Sequence, residues 1–495
     1  MSPWIIVSSI LIYFCILLFI AWITSRKANN ESYFIGNRES PWYIVAFGMV
    51  SDSLSGVTFI SLPGTIVNSQ FSYMQMVLGY IVGYYAISRI LLPVYYKLNL
   101  TSIYSYLQER FGANAQKTGS FYFLLSRIIG AALRLFLAAT VIQLFVFDAW
   151  GVPFPVSVAM IIALMLVYTY RGGIKTLVWT DALQSTFLIL GVVLSIAVIL
   201  NHLDWSVLTA IKSISESEMS QVFFWDWKEK SFFVKQFLSG AFIAIVMTGL
   251  DQNMMQKNLS CRSLKDAQKN LEVFSWVLVL VNLFFVSLGA LLYIYVEQNG
   301  ISLAVNQDTG KIITDKVFPF IALESLGGVA AIVFIIGLTA ATFSSADSVL
   351  TTLTTSFCID FLDLENPIKY SDAQRTRMRH LMHIMFAFIL FLTIMACVWI
   401  NRTSVLDAIF TVAAYTYGPL LGLFMFGLFT QYKVADKWVP LVCSLPPVLC
   451  YVLRENSESW MMGYKFGYEL LLINGFLTYL GLYLIRLRNN KSLAI

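Results

Sequence analysis

The sequence predicts an all-α integral membrane protein, and three features of its composition lead to that prediction. Of the 495 residues, 58% are hydrophobic and only 12% are charged, and the mean hydropathy is +0.73. Soluble proteins carry about 25% charged residues, so this chain lacks the charge that a water-facing surface requires. The same shortage excludes a disordered or coiled-coil protein, and the net charge of +5 does not indicate nucleic-acid binding.

Thirteen apolar runs are long enough to cross a bilayer, which takes roughly 20 helical residues. They lie near residues 3–24, 42–69, 73–96, 121–147, 154–170, 178–201, 232–256, 271–296, 318–360, 378–400, 404–430, 435–453 and 466–485. The first run is interpreted as a retained helix and not as a signal peptide, because its basic residues, Arg26 and Lys27, follow the apolar stretch. Most of the 33 Lys and Arg residues fall in loops that are cytoplasmic if the N-terminus lies outside and the C-terminus inside. We therefore expect about thirteen helices with that orientation in a plasma membrane, namely a bacterial inner membrane.

Ionisable residues inside these runs are costly, at least ~2.5–3.5 kcal/mol each at the centre of a helix on insertion scales. Those that need an explanation include Asp52, Arg127, Arg134, Asp181, Asp251 and Asp347, which lie within runs or at their ends. For Arg127 and Asp251, a structural explanation, either an ion pair or an interfacial position, is at least as good as a functional one. Asp347 lies in the apolar middle of the ninth run and indicates a functional role.

The second run contains a polar stretch from Val50 to Gly64 that reads V-S-D-S-L-S-G-V-T-F-I-S-L-P-G. Ser and Asp side chains compete with helical hydrogen bonds, and Gly and Pro weaken a helix, so a break is predicted here. At membrane depth a broken backbone is tolerated only where it is buried in protein or lines a cavity, and its freed carbonyls can then bind a small cation. A merely kinked structural helix is the alternative.

The ninth run carries a second polar cluster. Ser344, Asp347 and Ser348 are spaced i, i+3 and i+4, so they share one helix face. Hydroxyl and carboxylate oxygens without histidine or thiolate suit a hard cation, although such serines often only bond their own backbone or pack helices. The six cysteines and three histidines form no ligand pattern, so neither a disulfide framework nor a metal centre of that type is expected.

Five stretches, taken in order, resemble the sodium:solute symporter family, whose members move sugars, sialic acid, proline, pantothenate, iodide or short carboxylates on a sodium gradient. They are Ser53 to Gly64, Gly172 to Gln184, Asp251 to Ala267, the Ser344–Ser345 pair, and Gly418 to Gly427. The resemblance implies a leucine-transporter-like core at 42–430, built as two inverted five-helix repeats at 42–201 and 232–430. It also implies an extra helix with a cytoplasmic loop at 1–41, and two helices with a short cytoplasmic tail at 431–495.

The resemblance also implies two sodium sites. The first would use the backbone carbonyls of Ser51, Leu54 and Ala341 and the hydroxyls of Ser344 and Ser345. The second would use Asp181, Asp347 and Ser348, and here the chain departs from the sialic acid members, which carry a serine where Asp347 stands. In the geometry that the resemblance implies, the carboxylates of Asp181 and Asp347 face each other. Two carboxylates at such a short distance cannot both stay ionised without a cation between them. Either a second sodium lies there or one carboxyl is protonated.

For the solute, the resemblance implies contacts from Ser53, Ser55, Thr58 and Arg134. A glutamine that the sialic acid members use is replaced by Val77, although Gln75 is nearby and is included as a candidate. An arginine keeps its proton and needs an anionic partner when it is buried. For Arg134 that partner is either the solute or a protein carboxylate such as Asp52.

The predicted function is sodium-coupled secondary active symport by alternating access, with no enzymatic activity. Its partners would be sodium, a small organic solute and the lipid bilayer, with no nucleic acid and no obligate protein partner. A guanidinium fits a carboxylate in bidentate geometry, so an acidic sugar or other carboxylate is favoured over a neutral sugar or polyol. A passive channel, a membrane enzyme and a transporter-like sensor are the alternatives. They are disfavoured because the sequence shows no continuous polar pore stripe, no catalytic motif and no domain after the last run.

Overall fold

The structure, a computed structural model, describes residues 3–26, 30–307, 310–366, 368–398 and 405–487. Within these ranges all regular secondary structure is helical. The described residues form three isolated β-bridges but no β-strand. The predicted all-α class is confirmed. Lys27, on which the interpretation of the first run partly depends, lies outside the described residues, as does the predicted tail from 488 onward.

Fifteen helices of the described chain are numbered here in order. They are α1 (Pro3–Ser25), α2 (Trp42–Ser53), α3 (Gly56–Ser69), α4 (Tyr73–Ala86), α5 (Ala113–Ile142), α6 (Phe154–His202), α7 (Phe233–Ala244), α8 (Gln252–Leu259), α9 (Leu264–Gln298), α10 (Thr314–Phe320), α11 (Gly327–Ser356), α12 (Asp372–Cys397), α13 (Val405–Phe429), α14 (Val439–Trp460) and α15 (Leu470–Leu484). Short α-helices cover Asn30–Ile35, Leu92–Lys97, Ser105–Arg110 and Val207–Glu216. Single 3₁₀ turns cover Gly36–Arg38, Gln70–Ser72, Asp148–Trp150, Glu218–Ser220 and Asp436–Trp438, and π-helical turns cover Ile87–Leu91, Gln143–Phe147, Ile245–Gly249, Ile321–Ser325 and Phe357–Phe361.

Every predicted apolar run contains helix, but the number of membrane spans is not confirmed. In the described ranges, nine helices are long and apolar enough to cross a bilayer, and a tenth is obtained if the bent pair α7–α8 is counted as one span. Phe154–Val167 and Leu470–Leu484 are apolar but shorter. The total of thirteen therefore stays a prediction.

The predicted break in the second run is confirmed. Helix α2 ends at Ser53 and α3 begins at Gly56, and Leu54 (φ −99°, ψ 59°) and Ser55 (φ −57°, ψ 173°) between them are not helical. A second break, which the sequence analysis missed, separates α7 and its π-helical extension from α8 and bends the pair by 64°. Asp251 begins α8 as its N-cap, because its Oδ1 accepts a hydrogen bond from the Met254 N–H at 3.2 Å. Each proposed repeat thus starts with a broken helix.

The fifth and sixth predicted runs lie on the two helical segments of α6. These segments meet in a kink at Gly173, where the backbone is not helical (φ 52°, ψ −146°). A Cβ there would lie 2.5 Å from the Cα and carbonyl oxygen of Tyr33. Glycine is required both for this backbone conformation and for the close approach of the chain around Tyr33.

The polar residues are gathered in the middle of the helix bundle. Helices α11 and α13 are mostly buried, whereas α1 and α14 leave most of their apolar surface exposed, as lipid-facing helices do. Small residues let neighbouring helices approach closely: a Cβ at Gly79 would lie 2.1 Å from the Phe237 carbonyl oxygen, and one at Gly240 would lie 2.1 Å from that of Met76. Tight crossings of this kind hold the broken helices against the long ones.

Candidate functional site

The break between α2 and α3 lies directly against α11. A Cβ added to Gly56 would be only 2.2 Å from Thr342 Oγ1, so the start of α3 touches the polar part of α11. The Leu54 N–H donates to the Val50 carbonyl at 2.8 Å and closes α2. Beyond that bond, the last carbonyls of a helix have no partner within it and form the negative end of its dipole. Oxygen ligands are thereby presented at membrane depth.

Hydroxyl groups from two helices meet at this break. Ser51 Oγ and Ser344 Oγ lie 2.7 Å apart, and both side chains are fully buried. Ser344 Oγ also donates to Asp181 Oδ1 at 3.3 Å, and the backbone N–H of Ser51 donates to Ser185 Oγ at 3.0 Å. The structure therefore brings the predicted residues Ser51, Ser344 and Asp181 together, although they come from three separate helices.

The remaining members of the predicted first sodium site lie next to this cluster. Ser345 Oγ donates to the Ala341 carbonyl at 3.3 Å and to the Thr342 carbonyl at 3.1 Å, so two predicted ligands are near one another on α11. Leu54 provides the first non-helical backbone after α2. Neutral hydroxyl and carbonyl oxygens at a negative helix end are a suitable donor set for a hard monovalent cation.

A buried lysine, one residue beyond the seventh predicted run and therefore expected in a cytoplasmic loop, joins the carboxylates. Lys257 Nζ forms ion pairs with Asp52 and with Asp181 Oδ2, the latter at 2.5 Å, and it donates to Ser348 Oγ at 2.8 Å. The lysine side chain is 2% exposed and both carboxylates are fully buried. The four aspartates and two arginines discussed above were the one signal in the sequence that favoured a further buried cation.

Two residues of the predicted second sodium site, Asp181 and Ser348, therefore both contact the Lys257 ammonium. Asp347 is fully buried on the same turn of α11, and its Oδ1 accepts a hydrogen bond from the Ser348 N–H at 2.5 Å. All three predicted residues lie in the protein interior, close to the first site.

On the other side of the break lies a cavity with about 670 Å³ of empty space, counted with the space open at its mouth. The predicted residues Ser53, Ser55, Thr58 and Arg134 line it, together with Asp52, Arg127 and the tyrosines Tyr73, Tyr80 and Tyr84. The walls combine apolar side chains with a few polar groups, which is typical of a small-molecule site.

The two arginines of this cavity differ in their partners. Arg127 Nε forms a buried ion pair with Asp251 Oδ2 at 2.6 Å, and Tyr417 donates to the same oxygen at 2.5 Å. Arg134 is also buried, but among the described residues its Nε has no hydrogen-bond partner and its guanidinium forms no ion pair. Asp52, the alternative partner considered for Arg134, is paired with Lys257.

Gln75 is not brought to the cavity. Its amide nitrogen donates to the Ser231 carbonyl at 2.9 Å and its amide oxygen accepts from the Phe224 N–H at 3.3 Å. Both ends of the side chain are therefore used to hold the long loop before α7. Val77, two residues further on, is fully buried.

Comparison with known proteins gives matches along most of the chain. The model of the family described as "Sodium:solute symporter family" matches residues 33–436. A sodium/sialic acid symporter of Aliivibrio fischeri is 25% identical over 92% of this chain and 88% of its own length, and one of Proteus mirabilis is 25% identical over 89% and 88%. A solved structure of the substrate-bound outward-open state of a Na+-coupled sialic acid symporter has a TM-score of 0.82 and 20% identity, with 97% of both chains covered. That likeness shows the fold, a leucine-transporter-like helical core.

Proposed function

Because this chain belongs to the sodium:solute symporter family and is a sodium-coupled symporter, we propose that its solute is a small organic carboxylate, with a sugar acid favoured. The sialic acid symporters among its relatives support an acidic sugar. The solute would bind in the cavity between α3, α5 and α7 and would be imported by alternating access.

The guanidinium of Arg134, which has no ion pair within the described part of the chain, carries this proposal. A buried arginine without a protein carboxylate leaves an uncompensated charge, and this one lines the cavity beside hydroxyl groups. A carboxylate solute would supply the missing negative charge in bidentate geometry. Arg127 offers the contrast, since Asp251 already neutralises it.

The start of α3 supports an anion as well. Ser55 precedes the helix without capping it through its side chain, so the first N–H groups of α3 lack that partner. Val57 and Thr58 of this first turn line the cavity. The N-terminal end of a helix favours negative charge.

Sodium would bind on the opposite side of the same break, to Ser51, Leu54, Ala341, Ser344 and Ser345. The ion ligands Ser51 and Leu54 and the solute contacts Ser53 and Ser55 belong to one short non-helical segment with its helix end. An ion that orders this segment would also order the solute contacts. We infer that this shared segment couples the two binding events, and that coupling is reciprocal by linkage.

Uptake by proteoliposomes that contain the purified protein tests the proposed solute class. A sodium gradient should drive uptake of sialic acid, and other sugar acids should compete better than neutral sugars. Arg134→Lys keeps the charge but loses the planar fork, so the apparent affinity for the acid should fall about tenfold or more, the loss expected for a charge-assisted hydrogen bond.

Arg89→Lys is the matched control, because Arg89 is half exposed, pairs with Glu272 and does not line the cavity. Its uptake should equal that of the wild type. A neutral sugar that is bound equally well by the wild type and by Arg134→Ala would contradict the proposed solute class.

A further inference from the structure

We propose that Lys257 occupies the position of the second cation, so that this symporter binds one sodium ion per transport cycle and not two. The inference rests on the proposed sodium-coupled mechanism and specifies its ion stoichiometry.

The ammonium makes the contacts that a bound cation would make. It has three N–H donors, and three oxygens accept from it: one of Asp52, Asp181 Oδ2 at 2.5 Å and Ser348 Oγ at 2.8 Å. Two of these three residues, Asp181 and Ser348, are those that the family resemblance assigns to a second sodium. The lysine thus holds the same oxygens with the same unit charge.

A sodium ion cannot share these oxygens with the lysine. An ion bound to Asp181 Oδ2 and Ser348 would be in direct contact with the ammonium, and two positive charges so close repel strongly in a medium of low dielectric constant. The lysine side chain is 2% exposed, so water does not screen that repulsion. While Lys257 is in place, the position is closed to sodium.

The other carboxylate oxygen of Asp181 remains directed to the first sodium site. Asp181 Oδ1 accepts from Ser344 Oγ at 3.3 Å, and Ser344 contacts Ser51. One carboxylate therefore lies between the internal ammonium and the proposed sodium ion. Asp52, Asp181 and Lys257, when all three are ionised, together keep one negative charge, and a sodium ion at the first site would balance it.

The lysine also links the two broken helices. It extends from α8, the second half of the second broken helix, to Asp52 at the end of α2, to Asp181 on α6 and to Ser348 on α11. A sodium ion in this position would be released on each cycle and would contribute its own gradient energy. An ammonium that belongs to the chain is not released, so the driving force is that of one ion.

Equilibrium binding of radioactive sodium to the full-length purified protein, without any solute, counts the sites directly. One sodium per protein is expected for the wild type. Two per protein would overturn the inference but leave sodium-coupled symport intact. No sodium binding would overturn the proposed function, and the inference with it.

Lys257→Ala tests whether the lysine is the reason for the single site. The count should rise to two, because Asp181 Oδ2 and Ser348 Oγ then no longer bind the ammonium and can bind a second ion. A count that stays at one would overturn the assignment of Lys257 to this position. Lys265→Ala, which removes an exposed lysine at the start of α9, is the control and should bind one sodium.

Ser348→Ala keeps the inference testable if Lys257→Ala does not fold. It removes an oxygen that the lysine uses and that sodium, on this proposal, does not. Sodium affinity should stay within about twofold of the wild-type value, and a loss of about tenfold, as expected for a missing ligand of a charged group, would overturn the inference.

Discussion

At the scale of single residues, the proposed sodium site depends on serine hydroxyls, which supply oxygen ligands without charge. Ser51 Oγ and Ser344 Oγ lie 2.7 Å apart, and Ser345 Oγ lies 3.3 Å from the Ala341 carbonyl. These groups are hydrogen-bonded within the protein, so a sodium ion at the proposed site would replace existing hydrogen bonds. Because the ligands are neutral, breaking their hydrogen bonds costs less free energy than separating a buried charged group from its partner.

Ser344→Ala and Ser345→Ala should each weaken sodium binding and sodium-dependent uptake together. Each change removes one neutral ligand of a dehydrated cation, a contribution of about 1.5–3 kcal/mol, so the sodium affinity should fall about tenfold or more. Sodium activation of uptake in proteoliposomes measures it. Thr339→Val is the control on the same helix, because the Thr339 hydroxyl donates only to the Ile335 carbonyl of α11. Wild-type sodium activation in Ser344→Ala would show that this site is wrongly assigned.

At the scale of helices, backbone interruptions place polar groups at membrane depth. The breaks at Leu54–Ser55 and Leu250–Asp251 end one helix and start another inside the bundle. At each break, the negative C-terminal end of one helix and the positive N-terminal end of the next then face polar side chains instead of lipid. The kink of α6 at Gly173 belongs to the same group of interruptions, and it adjusts the helix that carries Asp181.

Gly173→Ala should destabilise the protein. Residues other than glycine cost about 1–3 kcal/mol in sparsely populated conformations of this kind, and the added Cβ would lie 2.5 Å from the backbone of Tyr33. The unfolding midpoint in detergent should therefore drop by several degrees. Gly328→Ala is the matched control, because Gly328 is helical and a Cβ there meets no atom within 4 Å. Equal midpoints for the two variants would rule out strain at Gly173.

At the scale of the whole molecule, charge sets the orientation in the membrane. Lys and Arg residues concentrate in the loops that we predict to be cytoplasmic, while the long loop between α6 and α7 is predicted to be outside. Part of the buried charge is balanced inside the protein, where Arg127 pairs with Asp251 and Lys257 pairs with Asp52 and Asp181.

The predicted orientation can be measured with single cysteines in a variant that lacks the six native ones. Ser215→Cys and Ala373→Cys are both exposed in the structure, and the first should lie outside and the second inside. A membrane-impermeant maleimide applied to intact cells should label only Ser215→Cys, and permeabilised cells should label both. The reverse pattern would invert the topology.

The sequence by itself determined the properties that depend on local composition. A long run of apolar residues is driven out of water whatever its neighbours are, so the membrane class and the helical runs were predictable. The polar stretch at Ser51 to Gly64 likewise disfavours a continuous helix through its own side chains, so the first break was predictable. The residues of the first sodium site were named from resemblance of short motifs.

Tertiary structure alone decided which charges meet. Lys257 is separated by 205 residues from Asp52 and by 76 from Asp181. In the sequence it directly follows an apolar run, where a lysine of a cytoplasmic loop would also be found. The same holds for Gln75, whose amide is used by a loop some 150 residues away. The free energy of a polar group in the membrane depends on the partners around it, and those partners come from distant segments. Only the packed bundle could therefore place an ammonium at the expected ion position and leave Arg134 facing the cavity.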